Sequence, residues 1–183
     1  MKDKKIIILQ GGSGSGKSTL AEHLKTLGIP RVITCTTREP RAGELDCRDY
    51  YFFKDKKAFL ANDLLEYAEY SGELYGTLKS EVDRLLATNK AICLILEQKG
   101  AKKLREIYPN NVIVISFPIS CEDLQHNLIK RGDTSDFIKT RVNTAKFLKE
   151  DKALSFADYV IIGNNIESKK KDLEQILQNL NLI

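Results

Sequence analysis

The stretch IIILQGGSGSGKST, residues 6–19, decides the fold. Ile6 to Leu9 form an apolar run too short for a helix and apolar on both faces, which predicts a strand buried between two helical layers. Glycines at 11, 12, 14 and 16 then break the run before a segment of helical pattern. The order strand, glycine turn, helix satisfies G-x-x-x-x-G-K-[ST] through Gly11, Gly16, Lys17 and Ser18. Glycine backbones can turn successive N–H groups toward one anion, and a helix N-terminus adds partial positive charge. Gly11, Gly12, Ser13, Gly14, Ser15, Gly16, Lys17, Ser18 and Thr19 are therefore the expected triphosphate site, with ATP the simplest donor. Lys17 would reach the β and γ phosphates, and the Ser18 hydroxyl would be a ligand of Mg²⁺.

Outward from this loop, further β-rich runs lie at Arg31–Thr34, Ala91–Leu96, Val112–Phe117 and Tyr159–Ile162, with helical patterns between most of them. That alternation predicts an α/β protein with a parallel five-stranded core sheet flanked by helices. The first helix is expected from Lys17 to about Leu27, stopped by Gly28 and Pro30, with Leu20, Leu24 and Leu27 inward. A last amphipathic helix is expected over 167–183, with Leu173, Ile176, Leu177 and Leu180 inward and the ESKKKD run, residues 167–172, as its solvated start. Two segments interrupt the pattern. Residues 50–75, rich in aromatic and acidic side chains, read as a small insertion with some strand, and KRGDTSD, residues 130–136, is charged and turn-prone.

Composition bounds the rest. A chain of 183 residues, 42% apolar, supports one well-buried core, so any second compartment is an insertion. The formal charge of +4 is too small to imply a nucleic-acid binder, and suits small anionic ligands. Cys35, Cys47, Cys93 and Cys121 contain no CxxC pair, and His23 and His126 have no zinc-ligand spacing. Reduced thiols and a cytoplasmic location are expected. The longest apolar run away from the start is AICLIL, residues 91–96, which is too short for a membrane span.

The acceptor is suggested by TCTTREPRAGELDCRDYYF, residues 34–52. Arg38 and Arg41 flank Pro40 and place two forked cations on a short stiff loop, suited to a terminal phosphate. TTREPRAGE followed by DYYF, then LEYAEYSGELYGT, residues 65–77, then KRGDTSD, resembles the guanylate kinases in order and spacing, from about Lys5 to the C-terminal helix. The resemblance implies the P-loop NTPase fold, with a core over about 1–33, 78–120 and 152–183, a GMP-binding region over about 34–77 and a helical lid over about 121–151. It implies transfer of the γ-phosphoryl of ATP to GMP or dGMP, by a monomer or homodimer. Carried over by position, Arg38, Arg41, Tyr50 and Tyr75 match residues that hold the GMP phosphate, while Thr34, Glu66 and Thr77 match those facing guanine. Guanine donates from N1 and N2, so an ionised Glu66 accepts both, whereas adenine presents an acceptor at N1. Arg131 and Arg141 match lid arginines that would offset the charge of two polyanions, and Lys17, Arg38, Arg131 and Arg141 form the expected catalytic set.

The chain also departs from the family's pattern. LILEQKG, residues 94–100, stands where the family commonly reads L-D-I-D-x-Q-G, so Ile95 replaces one carboxylate and Glu97 replaces the other. Glu97 is expected to reach Mg²⁺ through water. Leu78 after YGT, Asn127 where arginine is frequent, Cys47 where glycine is usual and GNN at 163–165 diverge as well. These changes leave two alternatives open: a related kinase with another nucleoside monophosphate or a sugar phosphate as acceptor, and a non-catalytic module that binds protein partners.

Overall fold

A computed structural model describes residues 3–12, 14–70, 72–132, 134–136, 138, 139, 142, 155–163 and 165–183. The described elements run β1 (Lys5–Gln10), α1 (Lys17–Thr26), β2 (Cys35–Thr36), β3 (Tyr51–Phe52), α2 (Lys56–Leu60), β4 (Leu64–Tyr70), β5 (Glu73–Leu78), α3 (Lys79–Thr88) and β6 (Ala91–Ile95). They continue with α4 (Gln98–Ile107), β7 (Val112–Ser116), α5 (Cys121–Arg131), β8 (Tyr159–Val160) and α6 (Ile166–Asn179).

The core sheet is parallel, in the order β6-β1-β7-β8. β1 is central, with Ile6 opposite both Ile92 and Val112, and Ile6 to Leu9 are fully buried. Alternation of side chains sends Ile6 and Ile8 into a cluster with Leu85 and Leu86 of α3 and Ala101 and Leu104 of α4. Ile7 and Leu9 enter the opposite cluster, with Leu20 and Leu24 of α1 and Leu173 and Leu177 of α6. A strand sandwiched this way must be apolar at every position, which is why β1 reads as a continuous run.

The expected fifth core strand is reduced to a single parallel bridge between Arg31 and Cys93, held by Val32 N–H to the Cys93 carbonyl (2.8 Å) and Cys93 N–H to the Pro30 carbonyl (2.9 Å). Pro30 has no N–H to extend the ladder, and the chain leaves the sheet at once to supply β2 elsewhere. α1 ends at Thr26 with Gly28 in the left-handed region (φ 82°), and α6 starts at Ile166, where Asn165 accepts from Glu167 N–H.

The interrupting segment builds a second, mixed sheet in the order β3-β2-β5-β4. β2 runs parallel to β3 and antiparallel to β5, and β4 and β5 form an antiparallel pair from Tyr70–Glu73 to Leu64–Leu78. Their register shifts between Leu64 and Glu66. Bulges of this kind re-aim side chains. Here Leu65 packs among the α4 residues of the core cluster while Glu66 faces a cavity.

Candidate active site

The glycine loop follows β1 at the C-terminal edge of the core sheet, where open α/β sheets bind ligands. Gly16 caps α1 in the left-handed conformation (φ 92°), which an L side chain adopts at a cost. Gly11 lies so near β7 that a Cβ there would stand 2.4 Å from the Phe117 carbonyl oxygen. The loop thus needs glycine for shape at one position and for close approach at the other. Lys17 Nζ folds over the loop and donates to the carbonyls of Gly11 (2.8 Å) and Gly12 (2.6 Å), with Ser15 Oγ at 3.3 Å. The exposed Ser18 and Thr19 open the first turn of α1, and Ser13 lies outside the described residues.

A cavity of about 550 Å³ separates the second sheet from the end of β6. Thr34, Arg41, Tyr50, Glu66 and Tyr75 line it, so five of the seven residues expected around the monophosphate face one space. Ile95 and Glu97 line it too. Because Ile95 pairs with Leu9, and Leu96 N–H reaches the Leu9 carbonyl (3.4 Å), this wall adjoins the strand that feeds the glycine loop.

The remaining two residues, Thr77 and Arg38, contact residues of the lining. Thr77, fully buried, donates its hydroxyl to Glu66 Oε1 (2.6 Å) and so orients the carboxylate. The other oxygen sits against α4, where Gly100 leaves room: a Cβ at that position would lie 2.8 Å from Oε2. Burial pushes the Glu66 pKa up, and the Thr77 bond only partly offsets this. Arg38 is held by Glu44, its Nη2 donating to both carboxylate oxygens (3.0 and 2.9 Å), and its guanidinium lies over Tyr50 at 5.6 Å from the ring centre. Burial works against this charge, but Glu44 and Tyr75 more than restore it, and Arg38 titrates above the usual guanidinium value.

Glu44 was missed in the sequence. It also accepts from Arg41 N–H (2.8 Å), closing a turn in which Arg41 and Arg38 share one carboxylate. Its position three residues after Arg41, beside a glycine, was the available signal. Lys169 was missed as well, because ESKKKD read as a solvated start. Instead Lys169 is only 4% exposed and donates to the Ser15 carbonyl at 3.0 Å. Its helical phase, three after Ile166 and four before Leu173, marked it as inward. Cys47, where glycine is usual, has φ 60°, so the backbone there keeps the conformation that glycine suits. Of the lid arginines, Arg131 ends α5 with its side chain undescribed, and Arg141 lies outside the described residues. Among the described residues no cluster of His, Cys, Asp and Glu could hold a metal by itself.

A glycine loop between the central strand and first helix of a parallel sheet defines a P-loop NTPase fold, and the adjoining cavity carries a second set of cations beside a carboxylate. A family model described as guanylate kinase matches residues 3–180. Guanylate kinases of Clostridium perfringens (strain 13) and Lactobacillus johnsonii are 36% and 31% identical over 178 and 180 residues, covering 94% of this chain and 82% and 87% of theirs. The crystal structure of guanylate kinase from Anaplasma phagocytophilum superposes with a TM-score of 0.72 at 27% identity, covering 98% of this chain and 87% of that one. The chain belongs to the guanylate kinase family.

Proposed function

We propose that this chain transfers the γ-phosphoryl of ATP to GMP, giving ADP and GDP, with the cavity as acceptor site and the glycine loop as donor site. The observation that carries the reading is the placement of Glu66. Its carboxylate is oriented by Thr77 at the wall of a cavity that also holds Arg41, Tyr50 and Tyr75 and borders the loop strand. An ionised Glu66 accepts from guanine N1 and N2, with Thr34 beside it, while Arg41, Arg38, Tyr50 and Tyr75 hold the monophosphate. A phosphate oxygen of GMP attacks the γ-phosphorus as the bond to the β–γ bridging oxygen breaks, and ADP leaves with that electron pair. The acceptor is already an anion, so no general base is needed, and alignment with charge stabilisation does the work. Lys17 neutralises charge on the transferring group, and Arg131 and Arg141 are assigned the same task by the family resemblance.

The residues present fit Mg²⁺, which binds through one or two protein oxygens and keeps water and phosphate as its other ligands. Ser18 offers a hydroxyl at the first turn of α1, and the exposed Glu97 caps α4 beside the cavity. When bound, the ion would offset charge on the triphosphate. Cytoplasmic residence is supported by four free cysteines, one of them exposed. Among the described residues no helix is long and apolar enough to cross a membrane.

A coupled ADP-release assay across GMP, dGMP, AMP, UMP and CMP tests the reading. GMP and dGMP should turn over far faster than the others. Turnover confined to a different monophosphate would transfer the acceptor site to that nucleotide, and ATP binding with no turnover on any of the five would sink the proposal.

A further inference from the structure

Two side chains from elements distant in sequence grip consecutive carbonyls of the glycine loop. Asn127 of α5 donates from Nδ2 to the Gly14 carbonyl (2.9 Å), and Lys169 of α6 donates from Nζ to the Ser15 carbonyl (3.0 Å). α6 is pressed against the loop, since a Cβ on Gly16 would stand 3.0 Å from Ile166 Cδ1. It is also tied to α1 by His23 Nε2 and Glu174 Oε1 at 2.6 Å. A peptide unit is planar and trans, so its carbonyl and the next residue's N–H point in opposite directions. Holding the Ser15 carbonyl outward therefore turns the Gly16 N–H toward the inner face of the loop. The same side chain keeps an ammonium group almost wholly buried behind that loop, where low polarity lengthens the reach of its charge. Burial lowers the Lys169 pKa and Asp123 of α5 opposes this. A neutral donor could have satisfied one carbonyl without the desolvation cost of a buried ammonium.

We infer that Lys169 is a positioning residue for the triphosphate: from the last helix it fixes the loop peptide that presents Gly16 N–H and adds positive charge behind it, and so sets the affinity for ATP. This rests on reading the glycine loop as the donor site. It assigns α6 a part in nucleotide binding without contact with the nucleotide.

Lys169→Met keeps the unbranched stem and removes both donor and charge, whereas Lys169→Arg retains them. ATP and GMP dissociation constants, measured separately by calorimetric titration, and the melting temperature are compared for the wild type and both variants. Lys169→Met should weaken ATP binding about tenfold, as loss of a charged hydrogen bond does, with GMP affinity and melting temperature held, and Lys169→Arg should recover most of the loss. In the coupled assay the methionine variant should raise KM for ATP and leave KM for GMP unchanged. Unaltered ATP binding in Lys169→Met would overturn the inference. So would a parallel fall in ATP affinity, GMP affinity and melting temperature, which is what a purely structural residue gives. A wild type that binds GMP but no ATP would bring down the donor-site reading itself, and the inference with it.

Discussion

The two halves of the cleft are built on opposite plans. The glycine loop is a backbone site: its shape comes from glycine at 11 and 16, and its carbonyls are held by Lys17, Asn127 and Lys169. The cavity is a side-chain site, in which Glu66 of β4, Tyr75 of β5, and Arg41 and Tyr50 of the connection between β2 and β3 converge. A backbone site tolerates any ligand with the right charge and geometry. A side-chain site discriminates, because a ligand lacking the matching donors leaves a desolvated carboxylate unpaired.

Removing the lysine that folds over the backbone site should give the largest effect. Lys17→Ala is expected to lower kcat by about 10² to 10³-fold in the coupled assay, with GMP binding by titration retained. Equal loss of GMP binding would show that the two sites are not separable.

Glu66→Gln attacks discrimination instead. The amide keeps an acceptor for the Thr77 hydroxyl but sets an NH₂ where guanine also donates, so kcat/KM for GMP should fall about a hundredfold and the preference over AMP should narrow. Stability should move the other way. Burial lifts the Glu66 pKa above its ordinary 4.5, so the native state holds that proton more tightly than the unfolded chain does. The stability this lends is complete below the ordinary value and is lost as pH rises through the raised one. At neutral pH the wild type carries a desolvated charge, and Glu66→Gln should melt at a higher temperature; below the ordinary value that advantage should vanish. KM for GMP in the wild type should climb as acid protonates Glu66, at a pH above the range of an exposed glutamate, and the glutamine variant should lose this dependence.

The smallest effect probes the frame around the side-chain site. Cys47 holds φ 60° with its N–H bonded to the Tyr50 carbonyl (2.9 Å), a conformation that glycine adopts freely. Cys47→Gly should stabilise the fold by about 1 kcal/mol, raising the melting temperature by roughly 2–4 °C with unchanged KM for GMP.

The same contrast governs what could be read from the chain. The loop was legible because a backbone site compresses into contiguous glycines between an apolar run and a helix. The core strands followed from their continuous apolar character, except Arg31–Thr34, whose pairing is cut short by Pro30 and by recruitment of Cys35 and Thr36 to the second sheet. No local periodicity predicts that crossing. Arg41 was marked by the proline-stiffened pair it forms with Arg38, but Thr34, Tyr50, Glu66 and Tyr75 were singled out only through a resemblance spanning most of the chain, since nothing local brings Glu66 to Tyr50. Glu44 and Lys169 escaped notice for a common reason: each is a charged residue in a charged stretch and reads as solvated, and the turn position of the one and the helical phase of the other are weak signals beside that composition.

Gly100 gives the helix after β6 a further duty. The notch it leaves receives the Glu66 carboxylate one turn from Glu97, where α4 begins. The second sheet is thereby gauged against the core through the empty space of a missing methyl group. A single carbon added at that point would push the Glu66 carboxylate from its seat while leaving every other cavity-lining side chain in place, so the fit of β4 against α4 is kept by an absence of atoms.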